Sequence, residues 1–358
     1  MFSTYKDADV TVLLKDITGK IEPLPTSVRE KRIQSGTHYC EMLPIENLPS
    51  GPYLATYEYA LENYAAMTAL AVAGVAERIY REKGRDGVLV SLARAGTPIG
   101  ILIRRYLLSR HGVDYPHYTV SIIRGRGIDR NAMKTILSRH SPASLQFVDG
   151  WTGKGAIQNQ LSEALRDFPG VSAGLAVLSD PAGVAAICGT HDDFLIPSSC
   201  LNAVVSGLLS RTVLREDLIG PEDYHGAVFY REWLEADRTE SFLSAIEAAF
   251  PDAGAQDALP AEWEAAGTLR AADGALEEVE VIRKTFGIRN INLIKPSIGE
   301  ATRVLLRRMP WKILVHSLED AEHLGHIYLL AREKGVELVP WPLKHYRACG
   351  LIREVADA

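Results

Sequence analysis

The chain has 358 residues, enough for two domains or one large domain with an appendage. Apolar residues make up 47% and charged residues 23%, as in an ordinary globular protein, and no apolar run reaches the roughly 18 residues of a membrane span. The start, MFSTYKDADVTVLLKD, has the pattern of neither a signal peptide nor a transit peptide. Cys40, Cys188, Cys200 and Cys349 form no C-x-x-C pair, which argues against a structural zinc site and a disulfide framework and predicts a reduced, cytoplasmic protein. Net charge is −6, but residues from 285 onward carry eleven Lys or Arg against eight Asp or Glu, so a +3 tail follows a −9 body. That asymmetry predicts an anionic partner for the tail.

Residues 1–50 lack periodicity and carry prolines at 23, 25, 44 and 49, which predicts an irregular arm. Between Leu54 and Arg81, apolar residues recur at helical spacing until Gly84, which predicts a long amphipathic helix. Strand and helix signals then alternate. GVLVSL (87–92) reads as a strand before a helix from Ile99 to His111. YTVSII (118–123) precedes the helix RNAMKTILSRH, and SLQFVD (144–149) precedes a helix over 154–167. GLAVLSD (174–180), a short strand FLIP, and a helix from Cys200 to Ser210 follow. Continuous apolar strands between helices predict a parallel sheet covered on both faces, so the fold class is α/β. The domain assignment is an arm over 1–50, a body over 51–250, a linker over 251–284, and a small α/β domain over 285–358. That last domain reads as helix 299–308, strand KILVHS, helix 320–334, strand ELVPWP and a short closing helix.

Two small-residue turns join a strand to a helix, at RAGTP after residue 92 and at DGWTGKGAI after residue 148. Backbone N–H groups at a helix start carry partial positive charge, so glycine turns there suit phosphates. A Walker A loop is excluded, because the glycine five residues before Gly153 is missing and Gly155 stands where Ser or Thr is required.

The pair of turns resembles the type I phosphoribosyltransferases, whose early loop holds a pyrophosphate and whose later loop holds a ribose 5′-phosphate. The resemblance implies a parallel-sheet phosphoribosyltransferase-like body with Arg94, Ala95, Gly96 and Thr97 on the pyrophosphate. It places Trp151, Thr152, Gly153, Lys154 and Gly155 at the 5′-phosphate and Asp149 at the ribose hydroxyls. Arg124 and Arg126, with Arg130, follow the second strand, where that family places a mobile catalytic loop; they are expected to close over the departing pyrophosphate. Mg²⁺ is the expected cofactor, with Asp149 its one protein contact. Gly150 leaves one acid where the family has two, and Trp151 falls where some members carry a catalytic Asp. His191, with Asp192 and Asp193, is expected on the acceptor side. Asn202, Ser206, Ser210 and Arg211 form a polar stripe at helical spacing.

SGTHYCEMLPIE (35–46), SIIRGRGID (121–129) and IPSSCLNAVVSGLLSRT (196–212) carry a closer resemblance. It is to phosphoribosyltransferase-like proteins with a C-terminal Pelota-type domain, associated with tellurium-resistance stress operons. That family is also labelled StiP-type cysteine protease. The likeness implies that the tail has the Pelota/L7Ae-like RNA-binding fold, with Lys295, Gly299, Glu300 and Arg303 at the family's helix start and Gly299 where many relatives carry Asn. Structured RNA is the implied partner of the tail; dimerisation or docking is its alternative use, a homodimer included.

The leading expectation is thus an enzyme that uses phosphoribosyl pyrophosphate and Mg²⁺ to ribosylate a nitrogenous acceptor in a stress response, with phosphoribosyl pyrophosphate or ribose 5-phosphate as ligand and no membrane partner. One alternative is a non-catalytic nucleotide-sensing RNA-binding protein. The other is the cysteine protease, with Cys40 two residues after His38. A thiol nucleophile needs a base within about 3 Å, which sequence neighbours rarely supply, so Cys40 is expected to be a packing residue.

Overall fold

A computed structural model of the chain describes residues 2–251 and 274–353. Most of the expected linker lies outside the described residues; its last part, Ala275–Thr285, is helical.

The helix expected after residue 54 runs from Gly51 to Lys83 (α1). Ser50 caps it by accepting from the Tyr53 N–H, and Gly84, at φ 63°, ends it where an L side chain would be strained. Its inner face buries Tyr57, Ala60, Tyr64, Val72, Val75 and Ile79. Next come β2 (Val88–Leu92), α2 (Gly96–His111) and β3 (His117–Val120), with β1 (Thr11–Val12) supplied by the N-terminal arm. A two-stranded excursion, β4 (Ile122–Ile123) and β5 (Gly127–Ile128), leads into α3 (Arg130–Leu137). Then follow β6 (Leu145–Val148), α4 (Ala156–Ala164), β7 (Leu175–Ser179) and β8 (Ile187–Thr190). The sheet order is β1-β3-β2-β6-β7-β8, every neighbour parallel.

Alternation along β2 shows why both faces are covered. Leu89 joins the core under α1 and α2, whereas Val88, Val90 and Leu92 pack with Met133, Ile136 and Leu161 on the other face.

The C-terminal part is a small sheet with helices. Strands β9 (Ile294–Pro296), β10 (Pro310–Val315), β11 (Glu337–Pro340) and β12 (Ala348–Ile352) lie in the order β9-β12-β10-β11. Helices Ile298–Arg307 and Ala321–Lys334 pack together, joined by a buried 2.8 Å hydrogen bond between Thr302 Oγ1 and His326 Nε2. The chain is therefore mixed α/β, with a parallel sheet and a small C-terminal sheet domain. No helix among the described residues is long and apolar enough to cross a membrane.

Four local expectations fail for physical reasons. The arm, expected to wrap the body without regular structure, instead pairs Thr11 with Tyr118 and Lys15 with Gly226 and is helical over Thr26–Gln34. Residues 194–196 of FLIP are buried but extended without a ladder. The expected helix at 200–210 is instead two 3-10 turns, Pro197–Cys200 and Ala203–Val205. Its polar side chains serve one tertiary and one local bond: the Asn202 side chain accepts from Arg307, and the Asn202 carbonyl accepts from the Ser206 hydroxyl. The expected closing helix is β12, a strand flanked by β9 and β10.

Candidate functional site

The C-terminal ends of β2, β3 and β6 face the helix start at Ile298, enclosing a cavity of about 280 Å³. Seven arginines and two lysines line it, against two acids, Asp149 and Glu300. Burial pushes the Lys295 ammonium down to about 7 and that of Lys154 to about 8. Arg211 is pushed down to about 10 by burial and by Arg29, and burial and Arg94 depress Arg307. Burial alone would raise the Glu300 carboxyl; Arg303, Lys295 and Lys154 outweigh it and hold it low. Among these cations burial dominates for Asp149 and lifts it to about 6.

The turn DGWTGKG holds protein. Lys154 Nζ donates to the Ile294 carbonyl at 2.8 Å and to that of Ile291. Tyr346 donates to the Gly153 carbonyl at 2.8 Å, and a Cβ on Gly153 would overlap the Pro296 carbonyl. Thr152 Oγ1 accepts from the Gly155 N–H, so its hydroxyl closes the turn, which Gly155 leaves at φ 78°. Gly153 permits close backbone approach, and the approaching group is Pro296 of the C-terminal domain, whereas Gly155 faces Val184 of the body.

The other turn is also occupied by protein. Arg94 donates to the Leu209 carbonyl at 2.7 Å and pairs with buried Glu46 at 2.8 Å. Thr97 bonds Thr119, and a Cβ on Gly96 would overlap the Val148 carbonyl, so Gly96 is a packing residue. Ala95 borders a small crevice beside Trp151.

Arg124 reaches the cavity and donates to Asn292, while Arg126 points outward to Glu41, and Arg130 pairs with Asp167. His191 lies away from the cavity, beside Cys188 and Asp180. Lys295, Glu300 and Arg303 line the cavity, with the Arg303 guanidinium 4.3 Å over the Trp151 ring. Gly299 packs on that ring. The residues expected to meet RNA therefore face the body. Mg²⁺ does not suit this setting, because Asp149, its expected ligand, already bonds the Gly150 N–H and shares the cavity with nine cationic side chains.

Sequence reading missed the neighbours of Cys40. His38 caps the 3-10 turn Tyr39–Glu41, and that tight turn brings His38 Nδ1 to 2.9 Å from Cys40 Sγ. His38 Nε2 lies 3.0 Å from the Arg124 carbonyl, so the N–H sits on Nε2 and the Nδ1 lone pair faces the thiol. Tyr39 and Arg124 line the cavity, which adjoins the pair. Burial raises the Cys40 thiol, with Arg126 opposing, and burial lowers His38 despite the Arg124 carbonyl. Both shifts favour a neutral thiol–imidazole pair. The only sequence signal was the H-x-C spacing itself.

A family model described as tellurite-like stress resistance cysteine protease StiP matches residues 3–247, and one described as PELOTA RNA binding domain matches residues 273–354. A curated protein of Acinetobacter baylyi (strain ATCC 33305 / BD413 / ADP1), named cysteine protease StiP, is 36% identical over 366 aligned residues, covering 98% of this chain and 94% of its own length. These findings overturn the phosphoribosyltransferase reading, since family and relative are both named for a cysteine protease. With the family model spanning most of its length, the chain belongs to the StiP family.

Proposed function

We propose that the protein is a thiol peptidase with Cys40 as nucleophile and His38 as general base. The observation that carries this is the 2.9 Å contact between Sγ and Nδ1, with Nε2 anchored on the Arg124 carbonyl. A base held by a third group is the arrangement an activated nucleophile needs. The family and the Acinetobacter relative support the choice of chemistry. Among the other cysteines, Cys188 lies 3.8 Å from a histidine nitrogen, and burial pushes the thiols of Cys200 and Cys349 up to about 12.

In this scheme the thiol proton moves to Nδ1 as sulfur attacks the scissile carbonyl carbon. The imidazolium then protonates the leaving amine as the C–N bond breaks, and water hydrolyses the thioester with His38 again as base. Cys40 is fully buried, so substrate reaches it only when covering segments move, and the Arg124 carbonyl must stay on His38 Nε2 for the base to remain aimed at the thiol. The cationic cavity beside it supports an acidic peptide as substrate.

The test is hydrolysis of an unstructured acidic protein, with loss of activity on iodoacetamide treatment. Cys40→Ala and His38→Gln should each lower kcat by ~100-fold or more while near-UV circular dichroism is unchanged. Full activity in Cys40→Ala would sink this assignment.

The match of residues 273–354 supports RNA binding by the C-terminal domain. Filter binding of the full-length protein to kinked and single-stranded RNA at several salt concentrations tests it. No binding tighter than ~100 μM at low salt, the weak limit of non-specific association, would exclude it.

A further inference from the structure

Arg29 is a charged side chain that the fold buries and leaves unpaired. It sits on the arm helix Thr26–Gln34, is 2% exposed, and lines the cationic cavity beside Cys40. Its Nε has no hydrogen-bond partner, and its guanidinium enters no ion pair among the described residues. The two acids within electrostatic reach are already committed: Glu30 holds Arg308 at 2.8 Å and Glu46 holds Arg94 at 2.8 Å. A buried cation with neither counter-charge nor full hydrogen bonding is costly, so this placement calls for a partner from outside the chain.

Arg211 faces the same space. Its guanidinium lies 4.4 Å over the Tyr39 ring, and among the described residues its side chain has no ion pair or hydrogen bond. Burial and the neighbouring Arg29 push it down to about 10, so it remains charged at neutral pH. Neither acid of the cavity answers these two cations. Glu300 is paired with Arg303 at 3.1 Å, and Asp149 accepts from the Gly150 N–H at 2.7 Å.

The chain ties both arginines to the thiol. Tyr39, under Arg211, directly precedes Cys40. Leu214, three residues after Arg211, donates its N–H to the Cys40 carbonyl at 3.0 Å, and its own carbonyl lies 3.5 Å from Cys40 Sγ. Arg29 is eleven residues before Cys40, so the arm carries one of the arginines as well as the nucleophile. A side chain within a few residues of the scissile bond is therefore the part of a substrate that meets them.

Resting on the peptidase reading, we propose that Arg29 and Arg211 form a carboxylate subsite that selects an Asp or Glu side chain at one fixed position of the substrate. A guanidinium presents a fork of N–H donors that matches a carboxylate, and a desolvated charge pair discriminates more sharply than a diffuse cationic field. Neither residue touches the reacting atoms. Their task is to set which peptide bond lies over Cys40.

The experiment has a binding arm and a cleavage arm. Full-length Cys40→Ala, in which the proposed nucleophile is gone, is titrated with a labelled unstructured acidic peptide and with its amide-substituted counterpart. Arg29→Gln or Arg211→Gln on that background should weaken the acidic peptide by ~10-fold or more and the amide form by less than ~3-fold, with Arg→Lys recovering part of the loss. Inorganic phosphate should bind at least ~10-fold more weakly than the peptide. In the cleavage arm, cuts made by the unaltered protein in an unstructured acidic protein are mapped by mass spectrometry. Asp or Glu should be enriched at one position relative to the cut, and Arg211→Gln should abolish that enrichment.

Equal binding of the two peptides overturns the subsite whether or not the protein is a peptidase. Cuts with no positional preference overturn it too, and that result needs no arginine variant to fold. Phosphate binding tighter than the peptide would give the site to a small free anion instead. Selective, arginine-dependent binding without any cleavage would strike the peptidase reading and leave the subsite standing.

Discussion

The indole of Trp151 occupies the space that a Cβ on Gly299 would need. Both residues depart from the patterns they resemble: Trp151 stands where a catalytic Asp occurs in phosphoribosyltransferases, and Gly299 where many Pelota-type relatives carry Asn. Here they are two halves of one contact between the body and the C-terminal domain. Gly299→Ala should destabilise the protein by about 1–3 kcal/mol through overpacking. Trp151→Leu in the same chain should recover part of that loss, with a coupling of at least ~0.5 kcal/mol in a denaturant double-mutant cycle. Strict additivity would show that the two residues do not meet in solution.

Reactivity of Cys40 should be low at neutral pH. Its thiol is raised by burial and its imidazole neighbour is lowered, so little thiolate forms in the resting protein. Alkylation mapped to Cys40 should be slow at pH 7 and accelerate as pH passes the ordinary thiol range near 9. Rapid alkylation at pH 6 would instead indicate a preformed ion pair.

The cationic cavity should govern substrate choice. An acidic peptide should be cleaved with higher kcat/KM than its amide-substituted counterpart, and the advantage should shrink between 0.05 and 0.5 M salt, roughly the range where screening becomes strong. Arg124→Gln removes one lining cation yet keeps the backbone carbonyl that holds His38. It should lower kcat/KM for the acidic peptide by about 3–10-fold and leave the neutral one nearly unchanged. Equal losses on both peptides would place the effect on His38.

Acid should loosen the C-terminal domain through His326. Burial pushes its imidazole down from 6.5 to about 3, and only Nε2 has a hydrogen-bond partner. The folded state thus keeps it neutral while the unfolded chain takes up a proton below 6.5. Stability is lost as pH falls from 6.5 toward 3, by up to ~1.4 kcal/mol per unit. Denaturant melts of His326→Phe should be flatter across that window; identical slopes would exclude the imidazole as the cause.

What the sequence made legible follows from which forces are local. Val88–Leu92, Leu145–Val148 and Leu175–Ser179 are short apolar runs between turn signals, and Gly51–Lys83 carries an amphipathic repeat with its cap and stop, so these elements are readable. Ala348–Ile352 was missed because its strand character comes from two flanking strands distant in sequence. The glycines at 150, 153 and 155 read as a turn suited to phosphate, and nothing local says that Pro296 is the group that approaches Gly153. Sequence neighbours rarely place a base on a thiol, and the 3-10 turn at Tyr39 is what makes the Cys40–His38 contact an exception. Arg29 and Arg308, from opposite ends of the chain, share a cavity that periodicity cannot reveal.

Because Lys295, Gly299 and Arg303 face Trp151 and the cavity, closure of the two domains and occupancy of that helix start by an outside molecule are antagonists. The same atoms cannot serve both. By reciprocity, any ligand that takes the helix start must weaken the grip of Asp193 on Ile298 and Arg347 by as much as that grip weakens the ligand. Cavity and helix face thus form a seesaw, and whatever tightens the Asp193 clamp hides the face from the outside.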